Sequence, residues 1–178
     1  TQRADIEIPS QITSIGDYAF CGYGGSWYDS SYDGTVSIKL NEGLVSIGEY
    51  AFSSIYYLEE IDLPDSLTTL GKGAFASDNQ LKSMTIPPKV TVIPDSLFEE
   101  CLNLESVTLP NGITEIGKRA FYGPLYLTSI HLPSSLKKID DYAFCFFQSR
   151  QFSKLTSIAI PDSVEYIGEH AFEGNGNL

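Results

Sequence analysis

The stretch with the clearest potential for metal chemistry is "DSSYDG", which begins at Asp29. It places Asp29, Ser31 and Asp33 at alternating positions before Gly34, and a calcium loop needs alternating oxygen ligands and a turn glycine. Leu40 occupies the twelfth position, where such a loop needs a bidentate glutamate. We therefore expect an ordinary Asp/Ser/Gly turn, with Asp29, Ser31 and Asp33 as a weak calcium candidate. No cofactor is predicted.

The residues that most often do catalysis are few and scattered. His131 and His170 have no cysteine or histidine at a metal-ligand spacing. The serines show no G-x-S-x-G elbow and no S-x-x-K pairing with a fixed base. Acidic pairs such as Glu59-Glu60 lack the enclosed geometry that general acid–base catalysis needs. The sequence therefore predicts a protein that is not an enzyme.

The chain as a whole is built from a repeat. Segments such as "IGEYAF", "IGKRAF" and "IGEHAF" end at a series of phenylalanines with steps of 32, 23, 23, 23, 23 and 28 residues. The phenylalanines are Phe20, Phe52, Phe75, Phe98, Phe121, Phe144 and Phe172. The pattern L-x-x-I-x-L-P-x-x-I-x-x-I-G-x-x-A-F fits seven copies, called repeats one to seven, which start at Arg3, Thr35, Leu58, Leu81, Leu104, Leu127 and Leu155. The base period is 23 residues.

One repeat predicts its own local structure. Val107-Thr108-Leu109 alternates with period 2, which indicates a short strand. Pro110 follows and lacks the N–H of a ladder, so the strand ends there. The next apolar pair predicts a second short strand, and the A-F pair adds buried groups. A unit this short cannot bury its apolar side alone, so stacking of units into a solenoid with a phenylalanine ladder is expected.

The three cysteines sit far apart in a stack of this kind. Cys21 and Cys145 are five repeats apart, or about 24 Å at about 4.8 Å per repeat. Cys101 is about 10 Å from Cys145 and about 14 Å from Cys21 on the same spacing. A disulfide requires Cα atoms within about 7 Å. We therefore predict no intramolecular disulfide.

The charge of the chain excludes two classes of partner. The net charge is -12, and only 11 lysines and arginines occur among 178 residues. Nucleic acids and anionic membrane surfaces require clustered cations, so neither is an expected partner. The sequence has no run of 18 apolar residues and no signal-peptide pattern, so it predicts no transmembrane segment or signal peptide in this chain.

The repeats resemble a known family. "LTSIAIPDSVEYIGEHAF" and "LESVTLPNGITEIGKRAF" are similar to the BspA-like leucine-rich repeat, and the resemblance extends over essentially the whole chain. It implies a right-handed, curved leucine-rich repeat solenoid of about seven 23-residue coils, with short parallel strands, turns and loops. It also implies a cell-surface or secreted protein and supplies no catalytic residues. Several members resemble adhesins for host matrix or plasma proteins.

The outward positions of the first strands are the main candidate surface. One row is Glu7, Lys39, Asp62, Thr85, Thr108, His131 and Ala159, and its neighbour is Asp5, Ser37, Glu60, Ser83, Ser106, Ser129 and Ser157. We call these two rows the strand face. Solenoids use extended surfaces of this kind for recognition. A merely solvated face would carry similar serines and threonines, so both interpretations stay open.

Two insertions follow the A-F pair, at 21–34 and 145–154. The first holds Trp27, Tyr28 and Tyr32, and loops rich in Tyr, Ser and Gly suit adaptable recognition. The second holds Phe146, Phe147 and Phe152, which are expected to pack against the body; if exposed, they would mark an interaction site.

The sequence predicts one leucine-rich repeat domain over 1–178, as part of a longer protein because no polar capping unit is visible. The leading hypothesis is a non-enzymatic module that binds a protein through the strand face, the aromatic insertions, or both. A spacer that displays another domain is the first alternative. A carbohydrate-binding module with Trp27, Tyr28 and Tyr32 on sugar rings is the second.

Overall fold

The computed structural model describes residues 4–22, 36–146 and 153–178. In these ranges the chain forms short strands joined by turns and contains no helix. All strand pairs are parallel. The strands are β1 (Ala4–Glu7), β2 (Ser14–Ile15), β3 (Val36–Lys39), β4 (Ser46–Ile47), β5 (Thr69–Leu70), β6 (Ser83–Thr85), β7 (Val92–Ile93), β8 (Ser106–Thr108), β9 (Glu115–Ile116), β10 (Lys138–Ile139) and β11 (Tyr166–Ile167).

Equivalent positions of successive repeats pair with each other. Ile6 of β1 is in register with Ile38 of β3, and Met84 of β6 with Val107 of β8. The second strands pair in the same way, in the orders β2-β4-β5 and β7-β9-β10-β11. Isolated bridges, such as Ser129 with Ser157, continue the first-strand set. This arrangement confirms the predicted solenoid of stacked repeats with short parallel strands.

A turn follows each first strand at the position of the proline. The N–H three residues after Pro64 belongs to Leu67 and donates to the proline carbonyl at 3.0 Å. The same bond forms after Pro9, Pro87, Pro110, Pro133 and Pro161. Asn41 replaces the proline in repeat two, and its Nδ2 donates to the carbonyls of Pro9 and Ile12 in repeat one. Asn41 therefore ties the turns of repeats one and two together.

A ladder of phenylalanine rings runs through a core that is otherwise mostly aliphatic. Neighbouring ring centroids lie 5.0 to 6.3 Å apart from Phe20 to Phe172. Rings at these separations pack offset, in the range that aromatic pairs prefer. Phe52, Phe75 and Phe98 are completely buried. The ladder is thus the shared support for every surface of the molecule.

Burial of a core position depends on its neighbours as well as on its own repeat. Ile116 and Ile139 are 0% exposed, whereas Ile167 in repeat seven is 45% exposed. Ile160 in the same repeat is 42% exposed. Repeat proteins bury their cores between adjacent units, so these two isoleucines lie on a side of repeat seven that no other described repeat covers.

The second-strand ladder is interrupted between β5 and β7. In other repeats the residue after the second strand donates its N–H to the preceding repeat, as Gly71 does to Ile47 and Gly117 does to Ile93, both at 2.8 Å. Repeat four has Pro94 at this position, and proline has no N–H to donate. These two described strands accordingly belong to separate sheets.

The interior also holds one carboxylate, Asp78. Its Oδ1 accepts the N–H of Ile55 at 2.7 Å, and its Oδ2 has no hydrogen-bond partner among the described residues. Burial raises the pKa of this carboxyl well above its ordinary value.

The cysteines are three separate thiols, of which Cys101 and Cys145 are buried. The Cys101 Sγ donates to the carbonyl of Phe75 at 3.0 Å. The Cys21 Sγ lies 3.2 Å from the Ser53 Oγ.

Candidate functional site

The described residues of the strand face predicted from the sequence point outward. Met84 and Val107 are buried, and the alternating residues Thr85 and Thr108 are exposed. The other candidates on this surface, Glu7, Lys39, Glu60, Asp62 and His131, are exposed as well. The period-2 pattern therefore located an exposed row correctly, while its use in binding stays a prediction.

Charge on the strand face is concentrated in its first repeats. The register of β1 and β3 places the Lys39 Nζ 2.8 Å from the Glu7 Oε1, with both side chains more than 70% exposed. The hydrogen bond and the opposite charge lower the pKa of Glu7 and raise the pKa of Lys39. Exposed pairs are screened by solvent, so this contact adds little to folding.

The middle of the strand face is uncharged and carries hydroxyl groups. Ser83, Thr85, Ser106 and Thr108 lie side by side on the paired strands β6 and β8. Hydroxyls both donate and accept hydrogen bonds, so such a surface can meet polar groups of either kind on a partner. At one margin, Lys82 contacts Glu59 at 3.0 Å.

The candidates in the two insertions are placed only in part. Trp27, Tyr28, Tyr32 and Phe147 lie outside the described residues, as do the weak calcium ligands Asp29, Ser31 and Asp33. Phe146 is described and is 4% exposed. Its side chain packs inside the molecule, as expected for a loop aromatic that folds against the body, and does not add to a binding surface. The described parts of the chain hold no group of three or more His, Cys, Asp or Glu arranged for a metal ion.

A second row of equivalent positions was not singled out from the sequence, and it is exposed at Tyr18, Arg119 and His170 and buried at Gly73 and Ser96. It lies two residues after the pattern position that holds Gly in five repeats, Pro94 in repeat four and Asp140 in repeat six, and all its members have φ between 50° and 60°. This left-handed conformation is uncommon for residues other than glycine. We call it the turn row: Tyr18, Tyr50, Gly73, Ser96, Arg119, Tyr142 and His170.

Side chains of the turn row contact each other along the stack. The rings of Tyr18 and Tyr50 are stacked with centroids 5.4 Å apart, and those of Tyr142 and His170 are 4.9 Å apart. The Arg119 guanidinium lies 5.7 Å from the centroid of the Tyr142 ring, within cation–π range. The turn row is thus a nearly continuous series of planar groups.

The series is broken by a groove at Gly73 and Ser96. A Cβ on Gly73 would fall 2.3 Å from the Tyr50 ring, so that ring leans directly over the glycine. Beyond it lies a groove of about 290 Å³. Its walls and floor are formed by Tyr50, Lys72, Asp95, Ser96, Glu99, Lys118 and Arg119.

Most charged groups of the groove already have partners. Arg119 contacts the Glu99 Oε1 at 3.2 Å, and the Lys118 Nζ contacts Asp141 at 3.3 Å. Asp95 accepts the backbone N–H of Lys118 through Oδ1 at 2.8 Å. No ion pair to Lys72 forms within the described ranges, which leaves this ammonium group available at the rim.

The sequence carried one usable signal for the turn row. The two residues between the Gly and the A-F pair vary, but their second position holds a planar side chain in five of seven repeats. The left-handed backbone at this position cannot be inferred from Tyr, Arg or His, which rarely adopt it. The groove was therefore missed because it depends on conformation as well as on residue type.

No helix that is long and apolar enough to cross a membrane occurs in the described portions of the chain. No curated protein matches the sequence at a significant level.

Solved structures with the same fold come from several bacteria. A leucine-rich repeat protein from Eubacterium ventriosum is 27% identical with a TM-score of 0.77, and the match covers 96% of this chain and 42% of that one. The leucine-rich repeat protein of T. pallidum is 28% identical with a TM-score of 0.77, covering 92% and 72% of the two chains. A leucine rich cell surface protein from Faecalibacterium prausnitzii, at 22% identity and a TM-score of 0.54, covers 98% and 52%. This chain thus spans less than half of the first structure.

The family model described as the BspA type leucine rich repeat region matches residues 1–26, 28–151 and 147–178. It counts six copies, against the seven read from the sequence. The match covers nearly every residue and agrees with the stacked parallel strands and the phenylalanine ladder. The chain therefore belongs to the BspA-type leucine-rich repeat family.

Proposed function

We propose that this chain is a non-enzymatic protein-binding module of a cell-surface or secreted protein, and that the strand face is its main contact surface. The observation that carries the proposal is the in-register row of exposed polar side chains on the first strands. Across seven repeats at about 4.8 Å each, this row extends about 29 Å. That length suits a protein interface of ordinary size.

The chemistry of the strand face supports a polar interface. Thr85 and Thr108 offer small hydroxyls on a rigid backbone, so little side-chain entropy is lost when a partner covers them. The charged end with Glu7 and Lys39 would contribute to orientation and association rate more than to affinity. Host matrix or plasma proteins are the partners that the family resemblance suggests, and one similar solved structure is described as a cell surface protein.

A binding panel of extracellular matrix and plasma proteins, read by biolayer interferometry, tests the proposal. The double variant Thr85→Arg/Thr108→Arg places two bulky cations in the middle of the strand face. We expect it to weaken binding by at least about tenfold, which corresponds to about 1.4 kcal/mol. Loss should appear mainly as faster dissociation, as is usual for interface variants.

The matched control is Thr91→Arg/Thr114→Arg, which makes the same change in the same two repeats at exposed positions away from the strand face. It should bind like the parent chain. Equal loss in both double variants, or no loss in the strand-face variant, would contradict the proposal. If no protein of the panel binds, the result would favour a spacer that displays another domain.

A further inference from the structure

We propose that the groove between Tyr50 and Arg119 binds one acidic sugar ring, a pyranose that carries a carboxylate. This site lies on the turn row, apart from the strand face. It adds a glycan ligand to the protein partner proposed above and does not depend on that partner. The inference rests on the size, the shape and the charge of the groove.

The size of the groove fits one ring. A closed apolar cavity of about 150 Å³ holds benzene, so about 290 Å³ accommodates a six-membered ring with its substituents. A larger glycan would extend out of the groove into solvent. The structure therefore indicates recognition of a single terminal or side-branch residue.

The groove lies where the turn row lacks a planar side chain. Tyr18, Tyr50 and Tyr142 show that the turn-row backbone carries a ring at φ of 50° to 57°. Ser96 has φ 57° but ends in a small hydroxyl, and this 5% exposed side chain lines the groove. Tyr50 also lines the groove, while its ring stacks on Tyr18 and leans over Gly73.

The charge of the groove favours a ligand with one negative group. Its lining has three cations, Lys72, Lys118 and Arg119, and two carboxylates, Asp95 and Glu99. The formal sum is +1, in a chain whose net charge is -12. Lys72 is the cation without an ion pair in the described residues, and we assign it to the sugar carboxylate.

The five charged side chains also explain the preference for a sugar over an aromatic side chain of a partner protein. An apolar ring would remove water from these groups without replacing the lost hydrogen bonds, which is costly. Sugar hydroxyls donate to the carboxylates of Asp95 and Glu99 and accept from Arg119. The walls are therefore matched by a polyhydroxylated ring.

NMR titration of the isotopically labelled chain tests the site directly. The probes are methyl glucuronoside, methyl glucoside as the same ring without the carboxylate, and the blocked dipeptide of aspartate and tyrosine. We expect the glucuronoside to shift the amides of Gly73, Ser96 and Arg119 with a Kd on the order of 1 mM, as befits a single ring. The glucoside should bind at least about fivefold more weakly.

Two variants test the site in different ways, since one adds a ring to the groove and the other removes a charge. Ser96→Tyr places a ring at a lining position of the groove, on a backbone that already carries tyrosine in three repeats. Circular dichroism checks that the variant is folded, and the folded variant should lose binding by more than about tenfold. Lys72→Gln should weaken the glucuronoside by about fivefold and leave the glucoside unchanged. Lys89→Gln removes the same charge at an exposed position outside the groove and should change neither.

Several outcomes would overturn the inference. Amide shifts that map away from the groove would do so, as would unchanged glucuronoside binding in a folded Ser96→Tyr variant. The absence of glucuronoside binding at tens of millimolar, or binding of the dipeptide without binding of the sugar, would also overturn it. The Thr85→Arg/Thr108→Arg variant separates this inference from the proposed protein interface. It should retain glucuronoside binding whether or not a protein partner exists.

Discussion

The strand face and the turn row are built from the same repeat, yet different backbone conformations direct their side chains outward. On the strand face, Thr85 and Thr108 point outward because the backbone is extended and its side chains alternate. On the turn row, Tyr50 and Arg119 project from a left-handed backbone that is imposed by the turn. The strand face tolerates many residue types, whereas the turn row holds bulky residues in a conformation that costs energy.

The difference shows that stacking sets the spacing of the side chains, and that the residue types at the variable positions set the chemical character of each surface. The phenylalanine ladder holds both surfaces in register with a ring spacing of 5.0 to 6.3 Å. On the strand face this regularity produces a flat polar row. On the turn row it produces a stack of planar groups that is interrupted at two small residues, Gly73 and Ser96, and Ser96 lines the groove.

The largest expected effect is on the support that the two surfaces share. Phe98→Ala empties a completely buried site and should lower the free energy of unfolding by about 3–5 kcal/mol. Urea denaturation followed by circular dichroism and by tyrosine fluorescence measures it. Phe172→Ala, at a half-buried end of the ladder, is the control and should cost clearly less. Similar losses in the two variants would show that the ladder does not behave as nearest-neighbour packing.

The next effect should separate the turn row from the strand face. Gly73→Ala puts a Cβ at φ 60°, which costs about 1–2 kcal/mol, and displaces the Tyr50 ring that lies 2.3 Å from its site. Thermal unfolding and the NMR shifts of Tyr18 and Tyr50 report both consequences. Gly112→Ala meets nothing closer than 3.9 Å and should be nearly neutral. If Gly73→Ala were equally neutral, the turn row would not be constrained as described.

A third effect depends on pH and tests the interior beneath both surfaces. Burial raises the pKa of Asp78 in the folded chain above the value of about 3.9 in the unfolded chain. The folded state then holds this proton more tightly, so stability falls as pH rises from about 4 to the folded-state pKa. Asp78→Asn removes the charge and keeps an acceptor for the Ile55 N–H.

The Asp78→Asn variant should therefore have the same free energy of unfolding as the parent near pH 4. At pH 8 its free energy of unfolding should be higher by about 1 kcal/mol, the cost of one unsatisfied buried polar group. Urea denaturation at both pH values measures the difference. Asp62→Asn, at an exposed position of the strand face, controls for the loss of one charge and should show no comparable pH dependence. A parent chain that gains stability relative to Asp78→Asn on going to pH 8 would refute the stated sign.

The smallest effect is expected on the strand face itself. Thr108→Ala changes an exposed residue with no role in the core, so the free energy of unfolding should change by less than about 0.5 kcal/mol. Chemical denaturation alongside Gly73→Ala gives the direct comparison. A loss as large as that of Gly73→Ala would mean that the strand face contributes to stability, and the distinction between the two surfaces would fail.

The fold could be predicted from the sequence because its determinants are periodic. The alternation at Val107-Thr108-Leu109, the proline after it and the recurring phenylalanine each specify one local feature, and repetition makes the signal strong. The exposed positions of the strand face follow from the same alternation. Asn41 could also be recognised as an exception, although its compensating bonds to Pro9 and Ile12 could not.

The groove could not be predicted, although Lys72, Asp95 and Lys118 share the 23-residue period, because the period does not show the backbone conformation that leaves space between them. Lys72, Asp95 and Arg119 belong to three repeats and meet only through stacking. Tyr50 leans over Gly73 of the next repeat, which depends on side-chain rotamers. Asp78 is buried because it occupies the interior position that Ile55 and Cys101 hold in neighbouring repeats.

Pro94 gives the stack a place of low mechanical resistance. The boundary between repeats three and four lacks the backbone bond that proline cannot donate, and Phe75 and Phe98 have the widest ring spacing there, 6.3 Å. We expect a pulling force along the stack to open this boundary more readily than the one between repeats four and five, where β7 and β9 are paired. The groove has Tyr50 on one side of this boundary and Arg119 on the other. A sugar ring bound between them would therefore raise the force needed to separate repeats three and four.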